Sequence, residues 1–146
     1  MDLLAITCRV LGPDDLDALT GAPEGLFDHP VDRAQAMAFL ADPGHIIVFA
    51  WCWADVAGFA SATILLHPDK PPAGFINEIG VREEFRRRGI GRAVSEALFA
   101  EVRARGCQGI WLGTEPDNDA ALALYRAMGG DEVPFVGFGW DGALDE

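Results

Sequence analysis

The chain has 146 residues, half of them hydrophobic and 23% charged, and its 11 basic and 23 acidic side chains give a net charge of −12. That size and balance suit one compact domain over residues 1–146, and abundant, irregularly spaced apolar residues exclude low-complexity disorder, collagen and coiled coil. The longest apolar run, Ile46 to Ala54, stops after nine residues, short of the roughly 20 that span a bilayer, so no membrane segment is expected.

Met1-Asp2-Leu3-Leu4 carries an acid where a secretory signal has a base, and no small-residue cleavage site follows, so the expected location is cytoplasmic. Cys8, Cys52 and Cys107 form no C-x-x-C, and His29, His45 and His67 show no ligand spacing; reduced thiols and no metal are expected.

In chain order, Ala5 to Val10 reads as a strand, and Asp14 or Asp15 caps a helix through Leu16 and Leu19. Gly21 to Pro30 is a loop, and Asp28 or Asp32 opens a second helix that Asp42-Pro43-Gly44 stops. Ile46 to Trp53 and Val56 to Leu66 flank Ala54-Asp55 as a hairpin, too apolar for either strand to face solvent on one side. After the proline-rich loop His67 to Gly74, Phe75 to Val81 is a strand. Ile90 opens a helix in which Val94, Ala97, Leu98 and Val102 recur at helical spacing, and Gly106 ends it. Gln108 to Gly113 is a strand, Asn118 to Met128 a helix closed by Gly129-Gly130, and Val133 to Trp140 a last strand.

The expected fold is α/β (α+β), a mixed sheet flanked by helices in the order β-α-α-β-β-β-α-β-α-β. The strands Phe75 to Val81 and Gln108 to Gly113, joined by a helical crossover, should be parallel.

Charge is uneven. The segment Arg82 to Arg105 has a net charge of +3 and the remainder −15. An acidic body disfavours nucleic acid and anionic membrane and attracts cationic partners, while a basic pocket within it suits one anionic group. The sharpest local pattern is Arg86-Arg87-Arg88-Gly89-Ile90-Gly91-Arg92-Ala93, where Gly89 and Gly91 allow backbone to approach a phosphate at a helix start. Neither a Walker loop nor a dinucleotide fingerprint fits these residues.

This stretch resembles motif A of the GNAT N-acetyltransferase superfamily, [QR]-x-x-G-x-[GA], as Arg86-x-x-Gly89-x-Gly91. Ile76 to Val81 is similar to that family's fourth strand, and Asn118-x-x-Ala121-x-x-Leu124-Tyr125-x-x-x-Gly129 to its motif B. Leu26-Phe27, Phe39-Leu40, the proline-rich loop and Asp131-Glu132-Val133 resemble the aminoglycoside 3-N-acetyltransferase group. One strand follows Gly130 where many relatives have two, so a partner subunit of a homodimer is a candidate wall for the acceptor pocket.

The resemblance implies acetyl-CoA as co-substrate and a fold to match. It implies that pantetheine pairs with the backbone of Ile79 and Val81, and that pyrophosphate meets the N–H groups of Arg88, Gly89, Gly91, Arg92 and Ala93, with Arg86 at the motif position and Arg87 as added countercharge. Asn118 and Tyr125, seven apart, share one helix face. Asn118 then lines the cofactor groove, and Tyr125 hydrogen-bonds the departing sulfur unless it is a core tyrosine.

Glu78 stands in an apolar strand, where a carboxylate is costly unless it faces a wet cleft or a partner. It is the candidate general base, with an ion pair to Arg82 as the alternative. Glu24, Asp28, Asp32, Asp117, Asp131 and Glu132 suit a cationic acceptor or serve only as surface charge; His29, Trp51, Trp53 and Trp140 are candidate wall residues, with burial the commoner role for the tryptophans. The expected activity is acetyl transfer to a small-molecule amine acceptor, an aminoglycoside among them. The alternatives are a protein or peptide amine acetyltransferase and a non-catalytic acyl-CoA sensor.

Overall fold

The computed structural model describes residues 5–145, so Met1 to Leu4, read above for a secretory signal, lie outside the described residues. The chain divides into two compact units, Met1–Leu112 and Gly113–Glu146.

The first unit holds β1 (Ile6–Val10), α1 (Leu16–Thr20), α2 (Arg33–Ala41), β2 (His45–Cys52), β3 (Asp55–Leu65), β4 (Ala73–Val81), α3 (Ile90–Ala104) and β5 (Gly109–Trp111), with 3-10 turns at Pro13–Asp15 and Glu83–Phe85. The five strands form one sheet in sequence order. The first three pairings are antiparallel and β4–β5 is parallel, as the crossover requires.

Alternation along β2 builds two cores. Ile46, Val48, Ala50 and Cys52 meet Ile90, Val94, Leu98 and Val102 of α3, whereas Ile47 and Phe49 join Phe59, Leu19, Leu26 and Ala36 on the side of α1 and α2. The strand therefore reads as continuously apolar because both its faces are covered. The four α3 residues are at most 1% exposed, and each such burial contributes roughly 1.5–3 kcal/mol. At Gly74 the helix comes so close that an added Cβ would collide with Val102.

Of the two candidate caps for α2, Asp32 is the one used, accepting from the Gln35 N–H at 2.8 Å. β4 starts two residues earlier than Phe75, and β5 is shorter than Gln108 to Gly113 because only Gly109–Trp111 finds partners, at Ala73–Phe75.

The second unit contains α4 (Asp119–Ala127), closed where Gly129 takes a left-handed φ of 85° and the Gly130 N–H donates to the Tyr125 carbonyl at 3.0 Å. The expected strand Val133 to Trp140 does not form: these residues have no ladder, and the observed order ends at the helix. Strand-like composition needs a pairing partner to become a strand, and Pro134, Gly137 and Gly139 weaken this one further. Val133, Phe135, Val136, Phe138 and Trp140 are 72–78% exposed. No described helix is long and apolar enough to cross a membrane.

Candidate functional site

The site is built where β4 leaves β5. Their ladder covers only Ala73–Phe75, so from Ile76 to Val81 β4 is laddered to β3 alone. Between Ser61 and Ala62 the β3–β4 register shifts, because Ser61 faces Glu78 while Ala62 faces Ile76, leaving Asn77 as the extra residue of a bulge.

The bulge reverses the parity of β4. Gly74 and Ile76 point to α3 before it, and Ile79 and Val81 do so after it. Glu78 is thereby carried to the opposite face, across from Ser61, and is exposed. Strict alternation from Ile76 would have driven its carboxylate into the α3 core. The Asn77 amide donates to Thr63 Oγ1 at 2.8 Å on the same face as Glu78. Arg82, the alternative partner considered for Glu78, ion-pairs with Glu84 at 3.4 Å and donates to the Val56 carbonyl at 3.0 Å.

The loop after β4 is fastened by its own arginines. Arg86 Nε donates to the Val81 carbonyl at 3.3 Å, tying the loop to the strand end. Phe85 has the guanidinium groups of Arg82 and Arg88 over its ring at 5.3 and 5.7 Å. Arg92 bonds Glu96 at 2.7 Å, one helical turn on. Among the described residues, Arg87 is the loop guanidinium that no protein group engages, and its backbone is left-handed at φ 63°.

Gly89 is the N-cap of α3 with φ 80°, a conformation glycine adopts without Cβ strain, and it supplies no side-chain cap. Its carbonyl takes the Ala93 N–H at 3.0 Å, which removes Ala93 from the open donors. Among the described residues no backbone acceptor meets the N–H groups of Arg88, Gly89, Gly91 and Arg92. Open donors and the positive end of a 15-residue helix make this a place where negative charge is favoured.

In the second unit, Asn118 caps α4, its Oδ1 accepting from the Ala121 N–H at 3.1 Å. Tyr125 lies two turns along, half-buried, and burial pushes its phenol above the ordinary value.

The acidic candidates divide. Asp32 is engaged as the α2 cap and Glu132 bonds Arg126 at 2.9 Å, whereas Glu24, Asp28, Asp117 and Asp131 are exposed, as is His29. Trp51 packs edge-on to Phe49 beneath Arg9, but Trp53 and Trp140 are exposed rather than buried. Sequence reasoning missed the Asn77 bulge with its Thr63 contact and the clamp from Arg86 to Val81. An Asn beside Glu within an apolar strand was the available signal for the bulge.

Residues 15–129 match the family described as Acetyltransferase (GNAT) family. The chain is 33% identical to the mycothiol acetyltransferase of Nocardia farcinica, covering 81% of this chain and 42% of the relative. It is 43% identical over 55 residues to the ribosomal protein bS18-alanine N-acetyltransferase of Salmonella typhimurium, covering 38% of this chain and 37% of the relative. The chain thus spans about two fifths of the length of these curated relatives.

Among solved structures, the aminoglycoside acetyltransferase meta-AAC0020 from an uncultured soil metagenomic sample, in complex with sisomicin, has a TM-score of 0.80 at 18% identity, covering 94% of this chain and 97% of that one. The aminoglycoside N-acetyltransferase AAC(6′)-Iy in complex with CoA has a TM-score of 0.76 at 24% identity, covering 93% and 94%. Both neighbours are described as aminoglycoside acetyltransferases, the second with a 6′ designation where the sequence layout here resembles the 3-N group. At these identities the likeness speaks for the fold. With one family match running from the start of the first helices through the glycine-bearing loop before α3 to the end of α4, the chain belongs to the GNAT acetyltransferase family.

Proposed function

We propose that this chain transfers the acetyl group of acetyl-CoA to a primary amine of a small cationic acceptor, aminoglycosides included, by direct attack in a ternary complex. The observation that carries the reading is the pairing of a β4 segment released from β5 with an α3 N-terminus whose donors are open. Main-chain groups of Ile79 and Val81 receive pantetheine as an added strand would be received. The N–H groups of Arg88, Gly89, Gly91 and Arg92 hold pyrophosphate, and Arg87 supplies an added countercharge.

Glu78 takes a proton from the acceptor ammonium, directly or through water. The freed nitrogen lone pair forms the C–N bond at the thioester carbon, the C–S bond breaks with its electron pair leaving on sulfur, and the second proton that the nitrogen sheds as the amide forms passes to the thiolate. Tyr125 keeps its proton because burial raises its pKa, and its O–H donates to the departing sulfur. With ordinary values near 10 for a phenol and 8.5 for a thiol, complete proton transfer is uphill by about 2 kcal/mol, so a hydrogen bond is the form the help takes. Asn118, its Oδ1 engaged by α4, offers its amide nitrogen to the same cofactor. In this reading the two units act as one acetyltransferase domain.

The test is free thiol release from acetyl-CoA with aminoglycosides, polyamines, amino-acid amines and basic peptides, against a control without acceptor. Release with a small amine supports the reading; acetyl-CoA binding with silence across the panel overturns it in favour of a sensor. The likeness to an alanine N-acetyltransferase over 55 residues favours a second reading, in which the acceptor is a protein N-terminal amine. Turnover of an alanyl peptide without turnover of small amines would select it.

A further inference from the structure

Phe85 ends the 3-10 turn that follows β4 and packs against the core on the α3 side of the sheet. Two guanidinium groups lie over its ring, Arg82 at 5.3 Å and Arg88 at 5.7 Å from the centroid, and they are held differently. Arg82 is fastened to β3, its backbone N–H donating to the Ala57 carbonyl at 2.8 Å and its Nη1 to the Val56 carbonyl at 3.0 Å, and Glu84 meets its charge at 3.4 Å. Among the described residues, no backbone hydrogen bond ties Arg87 or Arg88, and no carboxylate pairs with the Arg88 guanidinium as Glu84 and Glu96 pair with Arg82 and Arg92. Five arginines stand between Arg82 and Arg92, so like charge pushes this loop apart. The loop also passes through two left-handed residues, Arg87 at φ 63° and Gly89 at φ 80°. The negative face of the Phe85 ring is then what meets the Arg88 charge between the Arg86 clamp and the start of α3.

We infer that Phe85 is a positioning residue: by holding the Arg88 guanidinium, its ring fixes the backbone of Arg88 and Gly89 in the arrangement whose N–H groups receive pyrophosphate. The inference rests on the acetyl-CoA reading and deepens it, because Phe85 acts on the phosphate end of the cofactor through Arg88 rather than by contact. The ring is itself a fixed point, joined to the core on one side and to the β3-bound Arg82 on another. A loop that samples several arrangements binds more weakly in proportion to the time it spends outside the competent one. Removing the ring therefore lowers affinity without removing any group that meets the ligand. The effect is confined to ligands that carry phosphate, since the main-chain groups of Ile79 and Val81 belong to β4 and not to this loop.

Two measurements on the full chain test this independently of turnover: calorimetric titration with CoA and with S-acetylpantetheine, which lacks the phosphates, and backbone order parameters of the Arg87 to Gly89 amides in the unliganded protein. Phe85→Leu keeps an apolar group against the core but removes the ring. It is expected to weaken CoA about three- to tenfold, to leave S-acetylpantetheine within about twofold, and to lower the order parameters of that segment. Phe85→Tyr, which keeps the ring, should restore CoA affinity and order alike. Unchanged order or unchanged CoA affinity in Phe85→Leu, equal weakening of the two ligands, or a loss that Phe85→Tyr does not restore would each overturn the positioning role. A wild type that binds CoA no more tightly than S-acetylpantetheine, with order still falling in Phe85→Leu and returning in Phe85→Tyr, would instead overturn the acetyl-CoA reading of this loop and leave the hold of Phe85 on Arg88 standing.

Discussion

Glu78 stands opposite Ser61 in the β3–β4 ladder, on the far side of the sheet from Ile76, although the two residues are an even number of positions apart on one strand. The extra residue Asn77 makes the difference, and it places the carboxylate on the opposite face of the sheet, where Glu78 is exposed.

Replacing that carboxylate by its amide keeps the size and the strand but removes the proposed proton acceptor. Glu78→Gln is expected to lower kcat about 10²- to 10⁴-fold and to flatten the acidic limb of the kcat/KM profile. Steady-state rates from pH 5 to 9 check this, and an intact kcat with an unchanged profile would place the base elsewhere.

For Tyr125 the readout is a split between turnover and binding. Tyr125→Phe should lower kcat about ten- to a thousandfold with little change in acetyl-CoA affinity. Because burial raises the phenol pKa, loss of its proton should not reduce wild-type kcat until above about pH 10. Unchanged turnover in the variant removes the tyrosine from the reaction.

The arginines of the loop should separate into two kinds. Arg86→Ala cuts the bond to the Val81 carbonyl and is expected to lower Tm by about 2–4 °C as well as raising KM for acetyl-CoA. Arg87→Gly relieves a left-handed backbone and should leave Tm unchanged or higher while KM for acetyl-CoA rises about five- to tenfold. Thermal melts beside acetyl-CoA titrations distinguish them, and equal KM values for Arg87→Gly and wild type would remove Arg87 from the anion site.

Close packing of α3 on β4 gives a stability prediction. Gly74→Ala forces a methyl into Val102 and is expected to cost about 1–3 kcal/mol in denaturant unfolding. Combined with Val102→Ala, the two effects should fall short of additive, since the smaller side chain relieves the collision. Additive losses would show that the strain lies elsewhere.

Asp15 accepts from the Gly12 N–H at 2.7 Å and from Arg9 at 2.9 Å, and the Gly12 bond first, then Arg9, hold its carboxyl below the usual range. A folded-state pKa below the unfolded one stabilises above the unfolded value near 3.9 and loses that contribution as pH falls through the folded one. Asp15→Asn should therefore be less stable than wild type at pH 7, by about 0.5–1 kcal/mol, and the gap should narrow as pH falls below the ordinary carboxylate range. Paired urea melts at neutral and strongly acidic pH check it; a gap that persists in acid would assign the effect to packing.

By itself, the sequence determined the features that depend on neighbours along the chain. The doubly buried β2, the three- and four-residue recurrence in α3 and the glycine at its start all follow from local periodicity and backbone chemistry, and so does the order of elements through α4, whereas the choice of Asp32 over Asp28 as the α2 cap came from the structure. Only the tertiary structure decided the features that depend on partners far apart. It stopped β5 after three residues, inserted Asn77 as a bulge, assigned Arg86, Arg88 and Arg92 to protein groups while sparing Arg87, and left Val133 to Trp140 without a ladder. Composition at those positions was compatible with either outcome. A strand exists only where another strand meets it, and one extra residue in a ladder changes the face of every side chain beyond it.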